Sequence, residues 1–184
     1  MKSTTKDLVF IALSTTIIIV CTFITIPFYV PFTMQTFALF TIIGLLGTKK
    51  AFLSVCLYLL LGIVGLPVFS GFRGGIGNLL GITGGYLIGF LLTVLVSGTL
   101  LYLFSQKKKV TFIGYFLIML LGLVLCYAFG TIWYLFLYAN STESISITSV
   151  LSLCVFPFIL PDMVKIGLSW YVVKILKKYI LRLS

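Results

Sequence analysis

The chain has 184 residues, of which 61% are hydrophobic and 9% charged, and its formal net charge is +10. A soluble domain of this size needs a charged surface that this composition does not supply. Most basic residues lie at the edges of apolar runs, which indicates membrane topology rather than a nucleic-acid partner. Histidine is absent and the four cysteines form no CxxC pair, so neither a metal site nor a disulfide framework is expected.

Six apolar runs follow one another along the chain, and each predicts a transmembrane helix. A helix needs about 20 apolar residues to cross a hydrocarbon core about 30 Å thick, so the length allows about six spans and no soluble domain. The second run is short and is interrupted by Gly44 and Gly47, which is tolerated where a segment lines a cavity. The sequence therefore predicts an all-α membrane protein with one domain, residues 1–184, and spans at about 8–26, 29–47, 51–66, 82–104, 112–138 and 149–173.

The basic residues predict how these spans are oriented. With six spans, eleven of the thirteen lysines and arginines fall on one side, which the positive-inside rule assigns to the cytoplasm. Both termini are therefore expected to be cytoplasmic. The eleven residues are Lys2, Lys6, Lys49, Lys50, Lys107, Lys108, Lys109, Lys174, Lys177, Lys178 and Arg182. The outer connections are longer and rich in Pro, Gly, Asn, Ser and Thr, so functional groups are expected on the outer side.

Asp162 and Lys165, in the stretch FPFILPDMVKIGLSW, are the acidic and basic side chains that lie deep in a predicted span. Each costs several kcal/mol in hydrocarbon unless it is paired, so such residues are candidates for a functional site. At spacing i,i+3 they share one helix face, and Pro157 and Pro161 are expected to break the backbone just before them. The alternative is an internal ion pair that only holds the bundle together.

Glycine is concentrated between Gly71 and Gly89, where it makes up eight of nineteen residues. Glycine lets the backbone approach a ligand or a neighbouring helix closely. The pairs Gly77–Gly81 and Gly85–Gly89 have GxxxG spacing, so helix packing is an equally good interpretation of those four glycines. Packing does not explain the polar side chains among them, which need hydrogen-bond partners. These are Asn78, Thr83 and Tyr86.

A third polar segment, VPFTMQTF, covers Val30 to Phe37 at the first outer connection. Thr33 and Gln35 offer hydrogen bonds beside the aromatic ring of Phe32, a mixture that is typical of small-molecule pockets. The alternative is an ordinary helix N-terminus capped by threonine.

Motifs for catalysis are missing from the sequence. It contains no GxxxxGK[ST] phosphate loop, no GxSxG nucleophile elbow and no HExxH motif. With three acidic residues in total, hydrolysis by paired carboxylates is also excluded. We therefore expect a protein that is not an enzyme.

The segments VPFTMQTFALF, GLPVFSGFRGGIGNLLGITGGYLIGF and LPDMVKIGL resemble the signature blocks of the BioY family, the biotin-specific S components of energy-coupling factor (ECF) transporters. The resemblance extends over essentially the whole chain. It implies a six-helix protein of a bacterial cell membrane that captures biotin from outside, with no other cofactor. It also implies a transmembrane T subunit and two ABC-type ATPase subunits as partners, in a lipid membrane.

The resemblance also suggests roles for the candidate residues. The ureido ring of biotin has two N–H donors and one carbonyl acceptor, so Asp162 is expected to accept from an N–H, Lys165 to donate to the carbonyl, and Asn78 to do either. The biotin carboxylate is then expected near Arg73. The alternative places Lys165 on the carboxylate, which is less favoured because Asp162 would repel it. The remaining candidates fall into two groups. Phe32, Phe69 and Tyr86 are expected to form the walls around the biotin rings, and polar or backbone groups are offered by Thr33, Gln35, Gly84 and Gly85.

The first helix is the expected docking surface for the T subunit. Members of such families dock through small residues four positions apart, and the matching residues here are Ala12 and Thr16, where threonine replaces the second alanine. Two other functions remain open from the residues alone. One is a structural membrane protein in which the glycines and the Asp–Lys pair only pack helices, and the other is a channel, which lacks a continuous polar path.

Overall fold

The computed structural model describes residues 5–27, 30–107, 109–138 and 147–183. The predictions for Lys2, for Lys108, for the start of the 29–47 span and for most of the 139–148 connection lie outside these residues. The described elements are α1 (Thr5–Phe23), β1 (Thr25–Ile26), β2 (Phe32–Thr33), α2 (Gln35–Ile63), α3 (Ile76–Leu80), α4 (Gly84–Lys107), α5 (Phe112–Tyr138), α6 (Ile147–Cys154) and α7 (Phe156–Leu183).

Helix α2 is a hairpin of two helical arms, residues 35–46 and 48–63, that meet at Gly47. Gly47 has φ 76° and ψ 178°, a backbone conformation that is essentially restricted to glycine. The side-chain Nε2 of Gln35 donates to the hydroxyl oxygen of Tyr58 at 2.7 Å. In a straight helix these residues would lie about 35 Å apart, at 1.5 Å per residue, so the chain must reverse at Gly47. Lys49 and Lys50 consequently begin the second arm and do not form a separate loop.

The bundle crosses the membrane six times. Among the described residues, five helical segments are long and apolar enough to span it, namely Thr5–Phe23, Gln35–Ile63, Gly84–Lys107, Phe112–Leu137 and the α6–α7 segment Ile147–Tyr179. The reversal in α2 adds the sixth crossing, which confirms the prediction of a six-helix all-α membrane protein. The assignment of one face to the cytoplasm stays a prediction.

Basic residues gather at one end of the bundle. Lys50 at the start of the second α2 arm pairs with Asp7 of α1 at 2.7 Å. Lys109, Lys174 and Lys177 line one cavity at this end. The beginning of α1 and the end of α7 therefore lie on the same side, as an even number of crossings requires.

The connection after α1 contains a short antiparallel pair of strands, β1 and β2, with Thr25 opposite Thr33. One local prediction was wrong. The prolines do not break the backbone before Asp162, since α7 begins at Phe156 and continues through Pro161. Proline fits the first turn of a helix, where its missing N–H has no partner in any case, so Pro157 is accommodated there. The interruption in the last span lies instead between α6 and α7.

Helices α4 and α5 pack closely because glycines face the neighbouring helix. A Cβ atom at Gly85 would lie 2.3 Å from the Cβ of Trp133, and one at Gly89 would lie 2.9 Å from the Sγ of Cys126. The packing interpretation of the Gly85–Gly89 pair therefore holds. It fails for Gly77, because a Cβ atom there would meet no heavy atom within 4 Å.

Candidate ligand-binding site

A cavity of about 550 Å³ lies at the end of the bundle opposite the lysines. Its size is within the range of about 300 to 1,000 Å³ that is typical of small-molecule sites. The described elements at this end form its walls, from the β1–β2 hairpin to the start of α7. The residues with polar side chains around it are Thr25, Thr33, Gln35, Thr36, Ser70, Arg73, Asn78, Thr83, Tyr86, Cys126, Tyr127, Cys154, Asp162 and Lys165. The apolar walls include Ile82, Leu87, Phe90, Leu123 and Phe158.

Asp162 of α7 is held by three hydrogen bonds from three different helices. Its Oδ1 accepts from Lys165 Nζ at 2.7 Å and from Thr36 Oγ1 of α2 at 2.8 Å. Its Oδ2 accepts from the hydroxyl of Tyr127 in α5. The residue is 2% exposed, yet it borders the cavity. A carboxylate has about four lone-pair sites, so one acceptor position remains for a ligand donor.

Lys165 has all three of its N–H donors occupied by protein acceptors. These are the backbone carbonyl oxygen of Thr33 at 2.7 Å, Thr36 Oγ1 at 3.1 Å and Asp162 Oδ1 at 2.7 Å. Its Nζ also lies 4.0 Å from the centroid of the Phe32 ring, within the range of a cation–π contact. The ion pair therefore does tie α7 to α2, as its structural interpretation requires, and it does so on the wall of a cavity.

Tyr86 of α4 presents a buried hydroxyl with no hydrogen-bond partner among the described residues. Its ring packs on Gly130 of α5, where a Cβ atom would lie 2.4 Å from the ring. The side chain borders the cavity and is 8% exposed. Buried hydroxyl groups in folded proteins are nearly always paired, so this group is positioned to bind a ligand or a water molecule.

The rim of the cavity is a tight turn between Phe69 and Arg73. Their backbones form two hydrogen bonds, of 2.9 Å and 3.3 Å. Gly71 and Phe72 both have positive φ, 73° and 56°, and the exposed Phe72 ring stacks on Phe23 of α1 with 4.4 Å between centroids. This turn directs the exposed Arg73 to the cavity while Phe69 is buried.

The structure brings eight of the predicted site residues to one cavity. They are Thr33, Gln35, Phe69, Arg73, Asn78, Tyr86, Asp162 and Lys165. Phe32 does not border the cavity and instead covers Lys165. Gly84 and Gly85 also lie outside it, because their Cα atoms pack against the Leu79 carbonyl and Trp133. Gly77 and Gly81 line the cavity in their place.

Sequence reasoning missed Tyr127 as a member of the site. It lies 35 residues before Asp162 in the apolar run of α5, and no motif or spacing connects the two. The weak signal was the tyrosine itself, since a buried phenol needs a hydrogen-bond partner. Thr36 also lies in the VPFTMQTF segment, and its contacts with both Asp162 and Lys165 depend on the α2–α7 packing.

The predicted docking residues lie on an open face of α1. Ala12 and Thr16 are both exposed, and the Thr16 hydroxyl donates to the Ala12 carbonyl oxygen at 3.0 Å. That bond satisfies the hydroxyl group that threonine has and alanine lacks. Leu13, Ile17 and Val20 beside them are also about half exposed, at 55%, 48% and 54%.

The fold and the cavity together define a multi-pass membrane protein with a cavity of small-molecule size at one end of a helix bundle. The BioY family model matches residues 1–182. The chain therefore belongs to the BioY family.

Named relatives and a solved structure agree with this assignment. The biotin transporter BioY of Thermotoga maritima is 37% identical over 174 residues, which are 94% of this chain and 96% of the relative. The biotin transporter BioY of Lactococcus lactis is 34% identical over 182 residues, 94% of this chain and 91% of the relative. A crystal structure at 2.1 Å of the S-component for biotin from an ECF-type ABC transporter superposes with a TM-score of 0.84 and 32% identity. It covers 96% of this chain and 95% of its own.

These comparisons confirm the family that the three sequence blocks indicated, together with its fold. The relatives are named as transporters, which confirms the expectation of a transport protein rather than an enzyme. The multi-pass membrane location is confirmed as well.

Proposed function

We propose that the chain is the biotin-binding S component of an ECF-type ABC importer, and that it captures biotin with high affinity from the outer side of the membrane. The observation that carries the proposal is the Asp162 carboxylate, which is fixed by three donors at the edge of a mixed polar and apolar cavity. The names of the relatives in Thermotoga maritima and Lactococcus lactis point to the same ligand.

The cavity offers the groups that a biotin ring system requires. A ureido N–H binds the remaining acceptor position of Asp162, and Asn78 and the Tyr86 hydroxyl supply further hydrogen bonds. The apolar thiolane ring and valeryl chain are matched by Phe90 and Leu123 on the cavity wall. Hydrogen bonds to a charged group contribute about 1.5–3 kcal/mol each, so the carboxylate is the main determinant of affinity.

Lys165 reaches the ureido carbonyl by exchanging one of its present acceptors. The bond to Thr36 Oγ1, at 3.1 Å, is the longest of the three and is the one that the ligand replaces. The biotin carboxylate then points to the exposed rim, where Arg73 is the available cation. This orientation keeps the ligand carboxylate away from Asp162, whose charge would repel it.

The chain works with a T subunit and two ABC-type ATPase subunits, because it has no phosphate loop of its own and resembles a component of an ATP-driven transporter. The exposed face of α1 around Ala12 and Thr16 is the surface for the T subunit. The lysine-rich end of the bundle faces the cytoplasm, following the positive-inside rule. Biotin itself is the ligand, and no metal or other cofactor takes part.

Calorimetric titration of the purified chain with biotin, in detergent and without ATP, tests the proposal. We expect tight one-to-one binding of biotin and none of a vitamin without a ureido ring, such as thiamine. A titration with no heat and no thermal shift would contradict it. If Asp162→Asn lowers the melting temperature while neither form binds biotin, the structural interpretation of the ion pair is correct instead.

A further inference from the structure

A second cavity, of about 430 Å³, lies at the lysine-rich end of the bundle. Three lysines line it, Lys109 before α5 and Lys174 and Lys177 in α7. Two aromatic residues, Tyr115 and Trp170, form another part of the lining. The cavity is separate from the candidate biotin site, because the two share no lining residue.

The aromatic wall of this second cavity is fixed by packing. The Tyr115 hydroxyl donates to the Phe40 carbonyl oxygen at 2.8 Å, and its ring lies 5.2 Å from that of Trp170. Gly44 allows α2 to approach α7 closely, since a Cβ atom at Gly44 would lie 2.6 Å from Val173 Cγ2. The floor of the cavity is therefore formed by closely packed apolar and aromatic side chains.

The positive charge at this cavity is not neutralised by acidic groups within the described part of the chain. Two of the three acidic residues are Asp7 and Asp162, and these pair with Lys50 and Lys165. Lys109, Lys174 and Lys177 are exposed and form no ion pair with a described residue. Three cations thus surround an apolar floor, which suits a ligand with an anionic head and an apolar body.

We propose that this cavity binds the headgroup of an anionic phospholipid. A tryptophan and a tyrosine at the end of transmembrane helices are typical of the membrane interface, where lipid headgroups lie. Basic pockets between transmembrane helices are suited to phosphate headgroups, and the apolar floor receives the glycerol and upper acyl chain. A soluble phosphate would use the lysines but not this floor. The inference is independent of biotin binding.

Trp170 provides a direct probe, because it is one of two tryptophans and the other, Trp133, lies against Gly85 near the candidate biotin site. In a Trp133→Phe background, vesicles with brominated acyl chains should quench Trp170 fluorescence. We expect half-quenching at a mole fraction at least about fivefold lower for brominated phosphatidylglycerol than for brominated phosphatidylcholine, since each lysine near an anionic surface contributes about fivefold in affinity.

A pair of charge-matched variants separates this pocket from general surface attraction. Lys174→Gln/Lys177→Gln, which leaves Lys109 in place, should reduce the preference for phosphatidylglycerol. Lys107→Gln/Lys178→Gln removes the same charge from exposed positions outside the cavity and should preserve the preference. Equal quenching by the two lipids, or equal loss in both variants, would overturn the proposal. Displacement of the lipid by millimolar inorganic phosphate would also overturn it and would assign the pocket to a soluble anion.

Discussion

The ring of Phe69 lies directly on Gly62, so closely that a Cβ atom at position 62 would be 2.0 Å from the Phe69 Cζ. The same ring meets Tyr58 edge-on, with 5.6 Å between centroids. Tyr58 in turn accepts the hydrogen bond from Gln35. The rim of the cavity thus packs on the second arm of α2, and this contact is possible because Gly62 has no side chain.

Gly62→Ala is therefore expected to displace Phe69 from the cavity wall. Overpacking of this kind costs about 1–3 kcal/mol of stability, and biotin affinity should fall because the wall no longer fits the ligand. Thermal unfolding and calorimetric titration measure the two effects. Gly167→Ala is the matched control, since a Cβ atom at this helical glycine would meet nothing within 4 Å. Equal behaviour of the two variants would show that the Gly62–Phe69 contact does not shape the site.

Asp162→Asn should weaken biotin binding by about 2 kcal/mol or more, which is about 30-fold, because a charged hydrogen bond to the ureido ring is lost. Tyr127→Phe should weaken binding less, by about tenfold, because it removes the donor that orients Asp162 Oδ2. Calorimetry on both variants measures these losses. Unchanged affinity in Asp162→Asn would eliminate its assigned role.

The double variant shows whether Tyr127 acts through Asp162. Residues in one hydrogen-bond network have non-additive effects, so Tyr127→Phe should cost less than about threefold once Asp162 is asparagine. A full tenfold loss in that background would instead indicate that Tyr127 contacts the ligand directly.

The sequence was sufficient to predict the six crossings because hydropathy and the spacing of lysines are local properties that tertiary contacts cannot override. It could also indicate Asp162 and Lys165, since ionisable residues in a membrane are rare. It was not sufficient for Tyr127, whose contact with Asp162 depends on how α5 packs against α7. Nor was it sufficient for Gly84 and Gly85, which pack against Leu79 and Trp133. Glycine density was ambiguous because packing and ligand approach both require a missing side chain, and both occur within the same nineteen residues.

The orientation of biotin can be tested by pairing two variants with two ligands. Arg73→Gln should weaken biotin about fivefold, the size of an exposed ion pair, and should not affect biotinamide, which lacks the carboxylate. Lys165→Met should weaken both ligands equally, because its partner is the ureido carbonyl. If Lys165→Met weakens biotin and spares biotinamide, Lys165 holds the carboxylate. The melting temperature of Lys165→Met should be measured together with the titrations, because this variant leaves the buried Asp162 without its cation.

Small side chains on α1 should matter for assembly and not for biotin binding. Close helix–helix approach in membranes depends on small residues, and Ala12 and Thr16 are exposed on a helix whose neighbours are α2 and β2. Ala12→Trp and Thr16→Trp should therefore abolish co-purification with the T subunit and the ATPases while biotin affinity is unchanged. Leu121→Trp, on the exposed face of α5, is the control and should assemble normally. Loss of assembly in all three variants would mean that a bulky residue on any exposed face prevents assembly. Normal assembly of both α1 variants would exclude this face of α1 as the docking surface.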